Sequence, residues 1–179
     1  QTETYTVVVA EEMPPAATIF ISEYLEGSSN NKALELYNPN AFDLTLTGYT
    51  LYLYSNGSTT AGQTIDLSGI TIAANGTYVF TNSGSAIQAI IDASDATGAA
   101  TYFNGDDALE IVLDGTVVDV FGVVGEDPGS EWTLGTDGTA NNTLRRVSSV
   151  LTGNTTWTVA EWAEFGEDAA DGLGAHTTD

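Results

Sequence analysis

The sequence predicts an all-β protein, a β-sandwich of immunoglobulin type, with an extra strand and a linker at its N-terminus. Three observations predict it. Seven runs of alternating apolar and polar residues follow one another at short intervals, 18–25, 32–38, 48–55, 76–82, 107–113, 116–121 and 143–149. Turn signals separate them: "EGSSNN", "SNGSTTAG", "AANG", "LDGT" and "GTDGTANN". Nineteen glycines, eight tyrosines and abundant Thr, Ser and Asn favour short strands and tight turns over long helices.

The chain opens on a further strand, "TYTVVVA" at residues 4–10, with Tyr5, Val7 and Val9 on one face and Val8 among the residues of the other. Acidic residues and two prolines in "EEMPP" cannot continue a ladder, so 11–17 read as a linker. The organisation is then residues 1–17 as strand plus linker and 18–179 as the sandwich domain. Within it, alternation places Leu34, Leu36, Leu51, Leu53, Leu109, Ile111 and Phe121 in the core. Ile87, Ile90 and Ile91 in "SAIQAIIDAS" (85–94) have helical spacing and predict a short helix after the fourth of the seven strands. The final stretch, with aromatics at 157, 162 and 165, reads as an irregular arm along the sandwich edge.

Composition bounds function. At 42% hydrophobic residues, 179 residues suffice for one packed core. Three basic against 25 acidic residues give a net charge of −22, which repels nucleic acid and anionic membrane alike. No apolar run approaches the roughly 20 residues of a membrane span. Without cysteine there are no disulfides or zinc-thiolate sites. A start at Gln1 and the scarcity of lysine point to an extracellular protein after signal-peptide removal, in a medium whose cations screen self-repulsion.

In "ISEYLEGSSNNKALELYNP", "NGDDALEIV", "VVDVFG", "TLRRVSS", "EW" and "DGLGAH", in that order over residues 18–176, the chain resembles the lamin tail domain as found in bacterial secreted proteins. The resemblance implies an immunoglobulin-like sandwich and no single activity, since the module accompanies secreted nucleases, phosphatases and surface proteins. Its motif positions Glu23, Lys32, Glu35, Asp106, Asp107, Asp119, Arg145 and Arg146 hold most of the charges inside strands or beside tight turns. Adjacent strand residues such as Arg145 and Arg146 point to opposite faces. One reading makes the basic residues partners of buried carboxylates. The other makes Lys32 and one arginine an anion site.

Catalytic material is sparse. His176 is the lone histidine, near a terminus where fraying is expected, and no phosphate loop or dinucleotide fingerprint occurs. No cofactor is required, though calcium is a candidate ligand. The loops "NGDDALE" (104–110), "GEDPGSE" (125–131) and "GEDAADG" (166–172) gather hard oxygen donors, above all Asp106, Asp107, Glu126, Asp127 and Glu131. The same residues suit turn caps. Trp132, Trp157 and Trp162 with Tyr52 and Tyr54 make either a sugar-stacking platform or core packing. Three functions fit: a non-enzymatic filament or surface-layer subunit built as a polymer of identical chains through strand donation, an accessory module of a secreted nuclease or hydrolase, or a calcium- or carbohydrate-binding adhesin.

Overall fold

A computed structural model of the chain describes residues 16–135 and 137–179. The expected strand at 4–10, with Tyr5, Val7, Val8 and Val9, lies outside the described residues, as does most of the linker. The described strands are, in chain order, β1 (Phe20–Glu26), β2 (Lys32–Tyr37), β3 (Leu44–Thr45), β4 (Tyr49–Tyr54), β5 (Gln63–Asp66), β6 (Thr71–Ile72) and β7 (Thr77–Thr81). After a one-turn helix α1 (Gln88–Asp92) come β8 (Ala96–Thr97), β9 (Ala108–Leu113), β10 (Thr116–Phe121), β11 (Thr133–Leu134), β12 (Asp137–Gly138), β13 (Asn142–Arg146) and β14 (Trp162–Glu164).

Each of the seven long alternating runs forms a strand. They assemble into two facing sheets, β14-β13-β1-β2-β7-β8 and β10-β9-β4-β5, flanked by the small ribbons β3–β6 and β11–β12. Pairing is antiparallel except for β7 with β8. The fold is an immunoglobulin-like β-sandwich.

Alternation explains the core. In β4, Tyr49, Leu51 and Leu53 are buried while Thr50, Tyr52 and Tyr54 face outward. Leu34 and Leu36 from β2, Leu109 and Ile111 from β9 and Phe121 from β10 meet these leucines between the sheets, as the sequence predicts. Along β1 the alternation slips: Ile19, just before the strand, and Ile21 enter the core, and so does Tyr24, one residue out of phase. A register shift between Ile21 and Glu23 absorbs the extra residue. A second irregularity, between Val117 and Asp119, does the same in β10. The β9–β10 hairpin closes through Asp114 (φ 48°) and Gly115 (φ 81°), two left-handed residues that match the twist of the flanking strands.

Two expectations are corrected, and the predicted short helix is found. The run at 143–149 ends as a strand at Arg146, because Val147 N already bonds outside the ladder, to Glu161 O. The terminal arm is not wholly irregular: Trp162–Glu164 adds β14 to the edge of β13. Of the three isoleucines, Ile90 is buried and Ile87 packs beside it, but Ile91 is exposed, since α1 is too short to bury two faces.

Helix α1 and the C-terminal segment cover the outer face of the six-stranded sheet, where Leu25, Ala33, Val79, Ile90 and Ala170 form a second small core. Leu36 lies in the main core with no solvent exposure. Replacing it with alanine is expected to cost about 2–5 kcal/mol, read from the shift in chemical denaturation midpoint. A near-neutral change would mean that β2 presents its other face to the core.

Candidate functional site

All three basic side chains of the chain are spent on internal ion pairs. Lys32 opens β2 on its inward face. Its Nζ lies 3.1 Å from Glu26 Oε1 and donates at 2.6 Å to the carbonyl of Phe103. Glu26 is its cross-strand neighbour across the β1–β2 turn. Burial raises the Glu26 pKa, with Lys32 pulling against it.

Arg145 and Arg146 point to opposite faces of β13, as strand geometry requires. Arg146 is fully enclosed. Its Nη1 donates at 2.6 Å to Asp119 Oδ1 from the facing sheet and its Nη2 at 2.8 Å to Glu161 Oε2. The guanidinium lies 4.8 Å from the Trp162 ring. Asp119, which has no solvent exposure, also accepts from Ile21 N at 2.8 Å and Asn154 N at 2.9 Å. Burial raises its pKa, opposed first by the Arg146 charge and then by the two amides.

On the other face, Arg145 pairs with Glu23 at 3.0 Å and with Asp171 at 2.5 Å, and its guanidinium carbon lies over the Phe165 ring, 4.0 Å from the centroid. Glu35, the cross-strand neighbour of Glu23, accepts from Ser22 Oγ at 2.6 Å and from Gly174 N at 2.7 Å. Burial pushes Glu23 up to about 8, with Arg145 opposing and Glu35 adding. The same cause raises Glu35. The C-terminal segment closes over this pair. Asp168 receives Ser28 N and Ser28 Oγ, at 2.8 and 2.6 Å. His176 packs against the rings of Phe20 and Tyr37, with centroids 5.6 and 4.8 Å away. The expected fraying at this histidine is therefore corrected: aromatic contacts hold it, and burial lowers its pKa.

The acidic loops do not converge. Asp107 is buried and works as a turn cap, accepting from Asn56 N at 3.0 Å and Asn104 N at 2.8 Å. Asp106 is half-buried in the same turn. Asp127 accepts from Gly129 N, Glu131 from Ala140 N, and Glu126 is exposed. Among the described residues no three carboxylate or imidazole side chains are grouped to hold a metal ion. Asp106 and Asp107 share one turn, while Glu126, Asp127 and Glu131 belong to another segment of the chain. Backbone amides take oxygens a cation would need.

The aromatic set divides. Trp132 and Trp162 are buried, and Trp157 packs half-buried on Phe121 and Trp162. Tyr52 and Tyr54 lie on the outer face of β4, and Tyr54 donates at 2.8 Å to Glu110 Oε2. Burial and then this bond push the Tyr54 pKa up to about 12. Beside Glu110 opens a cleft of about 340 Å³ lined by Val120, Gly122, Thr155, Thr156 and Trp157. A second cleft, of about 360 Å³, lies between Glu131, Asp137 and Asn141.

Sequence reasoning missed Glu26, Glu161 and Asp171, the acidic partners that complete each cluster, and the buried asparagines. Asn38 donates through its amide to the carbonyls of Phe42, Ile72 and Ala73. Asn40 both accepts from Ala17 N and donates to Ala17 O, each at 2.9 Å.

The chain belongs to the lamin tail domain family, whose match covers residues 12–125. That is an immunoglobulin-like domain family not known as catalytic. The matched stretch includes Glu23, Lys32, Glu35, Asp106, Asp107 and Asp119, while Arg145, Arg146 and the C-terminal segment fall beyond it. No curated protein matches the chain.

Two predictions follow from the buried charges. Asp119→Ala strands Arg146 between the sheets and is expected to cost about 3–5 kcal/mol. The double variant with Arg146→Met should recover much of that loss, because the uncompensated charge goes too. Denaturant melts of the four proteins in the cycle measure both effects, and strict additivity would show that the pair is uncoupled.

Glu23 binds its proton up to about pH 8 in the folded state but only to 4.5, the ordinary value, when unfolded. A raised carboxyl contributes stability that is fully present below the unfolded value and is lost as pH rises through the folded one. The melting temperature of the native protein is therefore expected to fall between about pH 5 and pH 8.5, and Glu23→Gln should flatten the slope. An unchanged slope in the variant would assign the dependence to other carboxyls.

Proposed function

We propose that this chain is a non-enzymatic structural subunit of an extracellular filament or surface layer, joined to its neighbours by N-terminal strand donation. The observation that supports this most is the clamp on Ala17, whose N–H and carbonyl are both held by the Asn40 amide. Thr18 is tied in turn to Thr152. Ala17, the point at which the acidic, proline-containing segment of the sequence joins the sandwich, is thus fixed. Extended residues 11–17 reach roughly 23–25 Å, enough to span to an adjoining domain.

The alternating anchors Tyr5, Val7 and Val9 suit a strand added to a sheet edge. A suitable acceptor is β5, which ends the four-stranded sheet and alternates half-buried with exposed residues. A donor on one side and an acceptor on another make a heterologous contact, which propagates into an open polymer unless it closes into a ring. It also covers an edge that is otherwise an aggregation liability. Commitment of every basic side chain to an internal pair favours a scaffold over an anion-binding role. Calcium enters this reading as a counterion that screens the acidic surface.

A second reading, an accessory or ligand-binding module of a larger secreted hydrolase, is favoured by one observation, the outward tyrosines of β4.

Deleting residues 1–12 is expected to give a folded monomer that no longer assembles, and the peptide "TETYTVVVAEE" should bind it. Electron microscopy and sedimentation in calcium-containing saline check this. Filaments that persist in the truncated protein, or a full-length protein that stays monomeric, would remove strand donation and leave the accessory-module reading.

A further inference from the structure

The two outer faces of the sandwich are finished differently. Helix α1 and the C-terminal segment lie over the six-stranded sheet and bury Leu25, Ala33 and Val79. Across the outer face of the four-stranded sheet runs a single row of directly paired residues, Thr64 on β5, Tyr52 on β4, Glu110 on β9 and Val120 on β10. Neighbouring strands lie about 4.8 Å apart, so the row spans about 14 Å, the length of a short oligosaccharide. Tyr54 stands beside Tyr52 with ring centroids 6.3 Å apart, and its hydroxyl is tied to Glu110. At the Val120 end the row drops into the cleft walled by Thr155, Thr156 and Trp157.

We propose that this face is a carbohydrate-binding site, taking a neutral oligosaccharide along Tyr52, Tyr54 and Glu110 and seating one end of it in the Trp157 cleft. The proposal is independent of the assembly reading, because it uses a sheet face and not the N-terminal segment.

Charge and chemistry select the ligand. Lys32, Arg145 and Arg146 are each consumed in internal pairs, so no cation is left to receive a sulfated or uronic polymer, a phosphate or a nucleic acid. With a net charge of −22 the approach of any polyanion is also opposed at long range. A neutral sugar meets neither obstacle. Its axial C–H faces lie against aromatic rings that are apolar in body and polar at the tip. Its hydroxyls are donors for the Glu110 carboxylate, whose Oε2 already takes the Tyr54 hydroxyl and whose second oxygen can accept from a ligand. The threonine hydroxyls of the cleft supply both donor and acceptor capacity. Rigidity comes from below: Trp157 packs on Phe121 and Trp162 at 4.8 and 5.9 Å, and the Tyr54–Glu110 bond fixes the carboxylate before a ligand arrives. Aromatic rings held beside a small number of converging polar groups, next to a cleft of this size, are the usual make-up of a small-ligand site.

The test uses the full chain, with cellohexaose and chitohexaose as neutral probes and polygalacturonate as the anionic one. Titration calorimetry and tryptophan fluorescence are expected to show saturable binding of at least one neutral probe, with a Kd of about 0.1–1 mM, and none of polygalacturonate. Tyr52→Ala and Trp157→Ala should each weaken binding at least about tenfold, equivalent to 1.4 kcal/mol. Ile91→Ala, on the exposed side of α1 across the molecule, should leave it unchanged. Tyr52→Ala decides alone if Trp157→Ala fails to fold, since Trp157 also supports Phe121. Absence of saturable binding by both neutral probes overturns the proposal. So does unchanged affinity in a folded Tyr52→Ala protein, or binding of polygalacturonate as tight as that of the neutral probes. Deleting residues 1–12 should leave the affinity intact, so loss of assembly and loss of sugar binding are separable outcomes.

Discussion

The contact on which the sandwich turns is the pair between Asp119 and Arg146, both closed off from water. Burying two charges is expensive, and their mutual attraction offsets that only when the remaining donors and acceptors are also matched. Here the carboxylate receives the guanidinium and two backbone amides, one from β1 and one from the loop after β13. Glu161 takes a second guanidinium nitrogen and thereby fixes the turn that precedes β14. The amide of Ile21 reaches across because β1 bulges after it, and Asp119 faces inward because β10 is irregular just before it. Two local departures from regular pairing thus converge on one ionic contact, which sets how the sheets are aligned. An apolar pair of similar volume would fill the space without dictating that alignment.

The same logic runs through the other basic residues and explains how so acidic a chain holds together. Lys32 closes one end of the first hairpin against Glu26 and the Phe103 carbonyl. Arg145 gathers Glu23 and Asp171, with Glu35 alongside, beneath the C-terminal segment. Every positive charge lies inside or beneath something, so the solvent surface carries almost purely negative charge. Self-repulsion is then left to counterions, while the interior keeps its few cations where the dielectric is low and each counts most.

The long strands were legible in the sequence because their alternation is strong: β4 reads buried and half-buried residues in strict turn. The short ones were not. Leu44–Thr45, Thr71–Ile72 and Ala96–Thr97 are two residues each, below the length at which a period can be read, and β5 is mostly polar. Strand β14 was hidden for a different reason: three residues after a 3-10 turn owe their extended form to pairing with β13. Charge roles were half legible. Strand parity placed Arg145 and Arg146 on opposite faces, but parity does not say which carboxylate each will meet. Glu26 looks like a turn residue and is buried; Asp171 is exposed and still pairs. The acidic, glycine-containing loops left their role open in the sequence because aspartates that cap backbone amides and aspartates that bind calcium occupy the same kinds of turn. Asp107, Asp127 and Asp168 all resolve as caps, a distinction carried by amide positions and not by composition.

The C-terminal segment also accounts for the asymmetry between the two faces. A buried Glu23–Glu35 pair on an outer sheet face requires a cover that brings its own donors. Gly174 N and the Asp171 side chain lie in that cover, and an added Cβ on Gly172 would fall 2.4 Å from Glu23 Oε2. A glycine-rich strap can approach a carboxylate that closely, whereas along the flank of a helix the amides are already bonded within the helix and the side chains hold a neighbour off. The six-stranded sheet is therefore sealed by chain that is chemically fitted to it. The four-stranded sheet has no buried charge on its outer face to satisfy and carries aromatic rings and the tied carboxylate of Glu110 there instead. Among the described residues no strap of this kind covers β5-β4-β9-β10, and its outer face is the one left for the proposed recognition.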